Sequence, residues 1–301
     1  AQVVVTQTLP NGREVTRREA RFYTQSHQSW SHTEAIAAFW GAPATLDTQH
    51  LHFIFGAKDA KTVTQIAADA ETYYVALRRI IGYSAPGGKS PSFDLLTIEL
   101  VPRVVTECER PQPAWLRLTS PLLYKPALGQ PQSDILAAQL REALVHQVLD
   151  VDTPILQPKA QWVYMALGLR GWLLCSDRLP LASDFDSSGP DLVVPNRFAQ
   201  LSGLVFDAGH RQAERSNQGG SALGVTGTGQ PVDYALYSIW QQAATVLDFV
   251  AAEYGLDALG ALVQGFARYE DWETLVPATL GISAQELEAG WLGRTVSVAQ
   301  P

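Results

Sequence analysis

Residues 133–150 read SDILAAQLREALVHQVLD. Ser133 or Asp134 supplies the short oxygen side chain that caps a helix start, and the run from Ile135 onward predicts a helix. On it Glu142 and His146 stand at i and i+4, on one face and one turn apart, with Ala143 directly after the glutamate and Leu144-Val145 between. A carboxylate and an imidazole so placed can form an ordinary side-chain pair, worth about 0.2–0.5 kcal/mol to the helix. They can also act as two ligands of a metal ion completed by water or a distant aspartate.

The stretches before this helix predict a sheet. LHFIFGA at 51–57 reads as a short strand, and a helix follows from about Thr62 to Ile81. Along it Val63, Ile66, Ala67, Ala70, Tyr74, Leu77 and Ile81 keep the three-and-four spacing of a buried face, and Gly82 ends it. FDLLTIELVPRVV at 93–105 reads as a central strand, and WLRLTSPLLYKP at 115–126 supplies one or two more. Farther upstream, Pro10-Asn11-Gly12 separates two strand-like runs as a hairpin turn would. RREARFYTQSHQSWSHTEAIAAFWG at 17–41 also resembles the closing strands of an NTF2-like domain. Beyond residue 150 the chain reads as mainly helical, with helices near 160–175, 194–203, 231–254, 257–268 and 283–292. Gly255 stops the third of these, and Ser283 with Glu286 forms a capping box before the last.

In a zinc peptidase His-Glu-x-x-His places two imidazoles on one helix face, the Glu activates the metal-bound water, and a Glu on a later helix completes the site. LREALVHQVL at 140–149 resembles that helix in gluzincin metallopeptidases. Aligned on His146 as second ligand, Glu142 takes the first ligand position and Ala143 that of the general base. The helix carrying the third ligand is similar to YMALGLRGW at 164–172, where Tyr164, Met165, Gly168, Leu169 and Trp172 keep the pattern and Leu167 takes the ligand position. Residues 234–294 resemble the closing helices of the bacterial peptidase-MA-like group, with Tyr234 and Tyr237 where relatives place an oxyanion-stabilising Tyr or His. The resemblance covers roughly residues 48–295. It implies an α+β fold, a small mixed sheet with packed helices followed by a helical subdomain, divided as 1–47, 48–150 and 151–301.

Alanine cannot activate water and leucine cannot bind metal, so the resemblance implies a pseudoenzyme with no zinc or other cofactor. A scaffold, binding module or accessory subunit of an extracytoplasmic assembly is the expected role, with a protein partner or membrane-associated complex. The alternatives are a metallohydrolase with atypical ligands built on Glu142 and His146, and a peptide-binding protein using the disused cleft, with Tyr234 and Tyr237 among its lining residues.

Other features exclude function classes. The 301 residues carry a formal net charge of −8 with scattered Lys and Arg, which argues against a nucleic-acid surface. No apolar run approaches the roughly 20 residues of a membrane span, and no basic-then-apolar leader is present, so the chain is expected to be soluble. The start at Ala1, within a strand-like run, suggests a removed upstream segment. Cys108 and Cys175 form no Cys-x-x-Cys pair, which leaves two free thiols or one disulfide. Asp184, Asp186 and Ser188 open like a calcium loop, but Pro195 takes the place of its bidentate glutamate, so an acidic solvated loop is expected. His210 reads as a loop residue, and the glycine-rich 216–231 as a mobile loop without a phosphate-binding ending. Trp30, Trp40, Trp115 and Trp272 flank loops and are candidates to face a partner.

Overall fold

The computed structural model describes residues 2–8, 12, 14–26, 29–82, 95–105, 109–112, 114–124, 130–151, 160–181, 201–204, 223–225 and 231–298. The fold is mixed α+β, a small sheet followed by helical elements. Two compact units divide the chain. Unit 1 holds Ala1–Val75, Ser90–His146 and Asp177–Ser187, and unit 2 the remainder.

Unit 1 opens with two antiparallel hairpins. Strands β1 (Gln2–Thr8) and β2 (Glu14–Ala20) pair from Gln2↔Ala20 to Thr8↔Glu14. Gly12 in the turn has φ +79°, the left-handed region that the Asn-Gly sequence anticipates. Strands β3 (Phe22–Ser26) and β4 (Ser29–Thr33) form the second hairpin, which holds Trp30 66% exposed.

The main sheet has the order β5-β6-β7-β9-β8, with β5 Pro43–Asp47, β6 Leu51–Gly56, β7 Leu96–Val101, β8 Glu109–Gln112 and β9 Trp115–Thr119. Strands β6, β7 and β9 are parallel neighbours, and antiparallel β5 and β8 close the two edges. Alternation decides which face is buried. Leu51, Phe53 and Phe55 of β6, Leu96, Ile98 and Leu100 of β7, and Leu116 and Leu118 of β9 all enter the core. Helix α1 (Ala60–Ile81), whose residues up to Val75 lie in unit 1, buries Val63, Ile66, Ala67, Ala70, Tyr73 and Tyr74. The sequence reading had Tyr74 on this face and missed Tyr73.

A buried polar chain ties three segments of unit 1. Trp40 Nε1 donates to Ser120 Oγ (2.7 Å), and Ser120 Oγ donates to Asp59 Oδ1 (2.9 Å). Asp59 is fully buried and its Oδ2 has no partner among the described residues. Burial pushes its carboxyl up from 3.8 to about 6, while the Ser120 bond pulls the other way. Trp40 is therefore a core residue and not a partner-facing aromatic.

Unit 2 contains α3 (Val163–Cys175), α4 (Tyr234–Glu253), α5 (Gly255–Gly265), α6 (Trp272–Leu280) and α7 (Ala284–Val298). Gly168 of α3 lies so near α4 that an added Cβ would stand 2.5 Å from Ala243 Cβ. Three indoles fix the rest. Trp162 stacks on Phe266 and meets Trp272 edge-on, and its Nε1 donates to the Tyr269 carbonyl (2.9 Å). Trp272 donates to the Leu201 carbonyl (2.8 Å) and Trp291 to Thr245 Oγ1 (3.0 Å). Trp272 is thus core as well, buried with its indole N–H satisfied by a carbonyl of the same unit.

Two boundary signals hold in detail. Gly255 has φ +84°. At the start of α7, Glu286 N donates to Ser283 Oγ (3.2 Å) and Ser283 N to Glu286 Oε2 (2.7 Å), a reciprocal capping box. Ser283→Ala is expected to cost about 1 kcal/mol of unfolding free energy, read by urea titration.

Of the region near 194–203, the described part is a short 3-10 turn, Leu201–Leu204. Within the glycine-rich stretch, Leu223–Val225 pairs antiparallel with Pro231–Asp233, so its described residues are strand and not loop. Asp184, Asp186, Ser188, His210 and Cys108 lie outside the described residues. Cys175 is a free, exposed thiol. No described helix is long and apolar enough to cross a membrane.

Candidate functional site

A cavity of about 410 Å³ opens in unit 1 between the β8–β9 edge and helix α2 (Gln132–His146). Its sheet side is built by β9 and the segment after it. Thr119 ends β9, its Oγ1 accepts from the Val105 N–H (2.7 Å), and the turn Pro121–Leu123 then brings Tyr124 to the wall. Burial raises the Tyr124 hydroxyl above its ordinary value. A Thr119 hydrogen bond opposes that, and the charge of Glu142 adds to it. The phenol therefore stays protonated and able to donate across the neutral range.

The helix side is one face of α2. Gln139, Glu142, Ala143 and His146 all line the cavity, at the three-and-four spacing that puts successive turns on one face. Arg141 next to them turns inward, buried, its guanidinium 5.6 Å from the Tyr73 ring centre. Glu142 is exposed, and no hydrogen bond or ion pair joins it to His146 or to any other described residue. The ordinary i,i+4 side-chain pair that the spacing allowed is not formed. After His146 the backbone winds as a π turn, Gln147–Val151, where the sequence predicts unbroken helix to Asp150.

Two arginines face the same cavity. Arg117 of β9 donates through Nε to Glu99 Oε2 (2.7 Å), an oxygen that also accepts from Trp115 Nε1 (3.1 Å). Its charge is thereby matched, and Trp115 is half-buried in the same arrangement. Arg110 of β8 is exposed and has no acidic partner among the described residues.

The structure thus brings together Glu142, Ala143 and His146. Leu167 lies on α3 of unit 2, its side chain 45% exposed. Tyr234 and Tyr237 fall in the first turn of α4, and their side chains are outside the described residues. Sequence reasoning missed Arg110, Arg117, Tyr124 and Gln139. Gln139 could have been found from its place one turn before Glu142. Arg110 could not, because ERPQ at 109–112 carries neither alternation nor β-branched residues and becomes a strand only by pairing with β9.

Known proteins supply no match. A scan against protein-family models, a search of the curated proteins and a search of the solved structures each find nothing similar to this chain.

Zinc of the gluzincin kind does not fit the residues present. The donor set on this face is one carboxylate and one imidazole, and the base position is a methyl group, Ala143, only 1% exposed. Arg110, which has no acidic partner among the described residues, lines the same cavity, and its positive charge opposes a divalent cation. Among the described residues no three His, Cys, Asp or Glu side chains gather as metal ligands do.

Proposed function

We propose that this chain is a non-catalytic protein of peptidase-MA-like descent whose unit 1 cavity binds without cleaving, acting as a binding module or accessory subunit of an extracytoplasmic assembly. One observation carries the reading. The cavity carries Ala143 where a gluzincin carries its general base, and among the described residues no third metal ligand gathers beside Glu142 and His146, which supports a site that binds without the metal-activated water of that family. A peptide-binding role for the cleft is the version that the cavity favours, since its volume lies within the range of small-ligand sites, roughly 300–1,000 Å³. Trp30, exposed on β4, supports a contact with a protein partner.

Elemental analysis of protein purified without chelator tests this reading. Zinc well below one per chain is expected, unchanged by His146→Ala, with no turnover of casein. One zinc per chain, lost in His146→Ala together with casein cleavage, would establish the metallohydrolase alternative instead.

A further inference from the structure

Arg110 and Glu142 line one cavity and do not pair with each other or with any other described charge. Opposite charges that face the same space usually close on one another when they can. Here Arg110 sits on the edge strand β8 and Glu142 on helix α2, and no ion pair spans the distance between them. A third group points the same way. Gln139 lines the cavity one turn before Glu142, and its Nε2 is buried with no acceptor among the described residues. A buried amide N–H left unpaired costs on the order of 1–3 kcal/mol, and rotation of the Gln139 side chain into the cavity would let an incoming oxygen recover it.

Resting on the binding reading above, we infer that the cavity takes a small zwitterionic ligand, a free amino acid or dipeptide, with its carboxylate on Arg110 and Gln139 Nε2 and its ammonium on Glu142. A ligand with only an anionic group would leave Glu142 facing it unbalanced. A divalent cation would meet Arg110. A zwitterion satisfies both charges at once, and Val105, Leu118 and Ala143 leave apolar wall for a small side chain.

The test is calorimetric titration of the whole chain with Gly-Gly, Ala-Ala and Leu-Leu, each with free ends, N-acetylated, or C-amidated, and with free alanine and leucine. Binding of at least one free-ended compound is expected. Arg110→Gln and Glu142→Gln should each weaken it about tenfold or more, as truncating one partner of a charge pair does. Acetylation should weaken binding to the native chain but add little in Glu142→Gln, and amidation should add little in Arg110→Gln. Both residues are exposed, so thermal melts of the variants should match the native chain. Preference for free amino acids or for dipeptides identifies the source of the zwitterion. The inference is overturned if blocked and free peptides bind alike, or if none binds at millimolar concentration. The zinc measurement is independent of this outcome, so a chain without zinc and without zwitterion binding would sink only the ligand assignment.

Discussion

Gly168→Ala is expected to destabilise unit 2 by about 3 kcal/mol, because extra atoms forced into a closed contact typically cost 1–3 kcal/mol and sometimes more. The new Cβ would stand 2.5 Å from Ala243 Cβ, 2.8 Å from the Ala244 nitrogen and 2.9 Å from the Ala243 carbonyl carbon. Two of those three atoms are backbone, so no side-chain rotation relieves the overlap, and α3 and α4 must separate. Gly293→Ala is the control. It is an exposed position in α7, where an added Cβ meets nothing within 4 Å, so the substitution should stabilise by about 0.5–1 kcal/mol through helix propensity alone. Urea titrations of the two variants should therefore move in opposite directions. Equal shifts would mean that Gly168 matters for its backbone and not for the helix contact.

Asp59→Asn is expected to stabilise unit 1 at pH 7.5 by about 2–3 kcal/mol, given about 1.4 kcal/mol for each pH unit by which a carboxyl is displaced. The folded chain holds the Asp59 proton more tightly than the unfolded chain does. Its contribution to stability is therefore full below pH 3.8, and is lost as pH rises through about 6. Asparagine keeps the oxygen that accepts from Ser120 and never ionises. The variant and native chains should be equally stable near pH 4 and diverge above it. Ser120→Ala should move the native decline to lower pH-independent stability and a still higher carboxyl value, since the Ser120 bond is what opposes burial. Parallel stability curves for Asp59→Asn and native protein from pH 4 to 7.5 would show that Asp59 is solvated as an anion.

What the sequence showed, and what it hid, follows from where each signal is written. Helix α1 was legible because its apolar residues repeat on a single face, helix α2 because a run of good helix formers continues unbroken from Ile135, and the caps at Gly255 and Ser283 are local chemistry. Strand β5 was not, because PATLD becomes a strand through its ladder with β6, from Pro43↔Gly56 to Asp47↔His52. Helix α6 was hidden by Pro277, which lies inside it, although Asp271 caps its start through a 2.8 Å bond from Thr274 N. The site divided in the same way. Its helical side, Glu142, Ala143 and His146, could be read from spacing. Its sheet side could not, because Arg110 reaches the cavity only through an antiparallel pairing with a register shift between Glu109 and Gln112.

The mixed sheet also sets the order in which unit 1 can assemble. The β5–β6 hairpin closes over a few residues and can form as soon as it leaves the ribosome. The parallel pair beside it cannot, because Leu51 finds Leu96 only after the whole of α1 has been made and folded back. Closing so long a loop before any contact repays it is slow. Strand β8 forms a second local antiparallel pair with β9, which follows β6 and β7 in the chain, and the wall bearing Arg110 is complete only when β9 docks in parallel on β7. In amide-exchange pulse labelling, β5 and β6 should be protected before β9, and the cavity should be the last part of unit 1 to take shape.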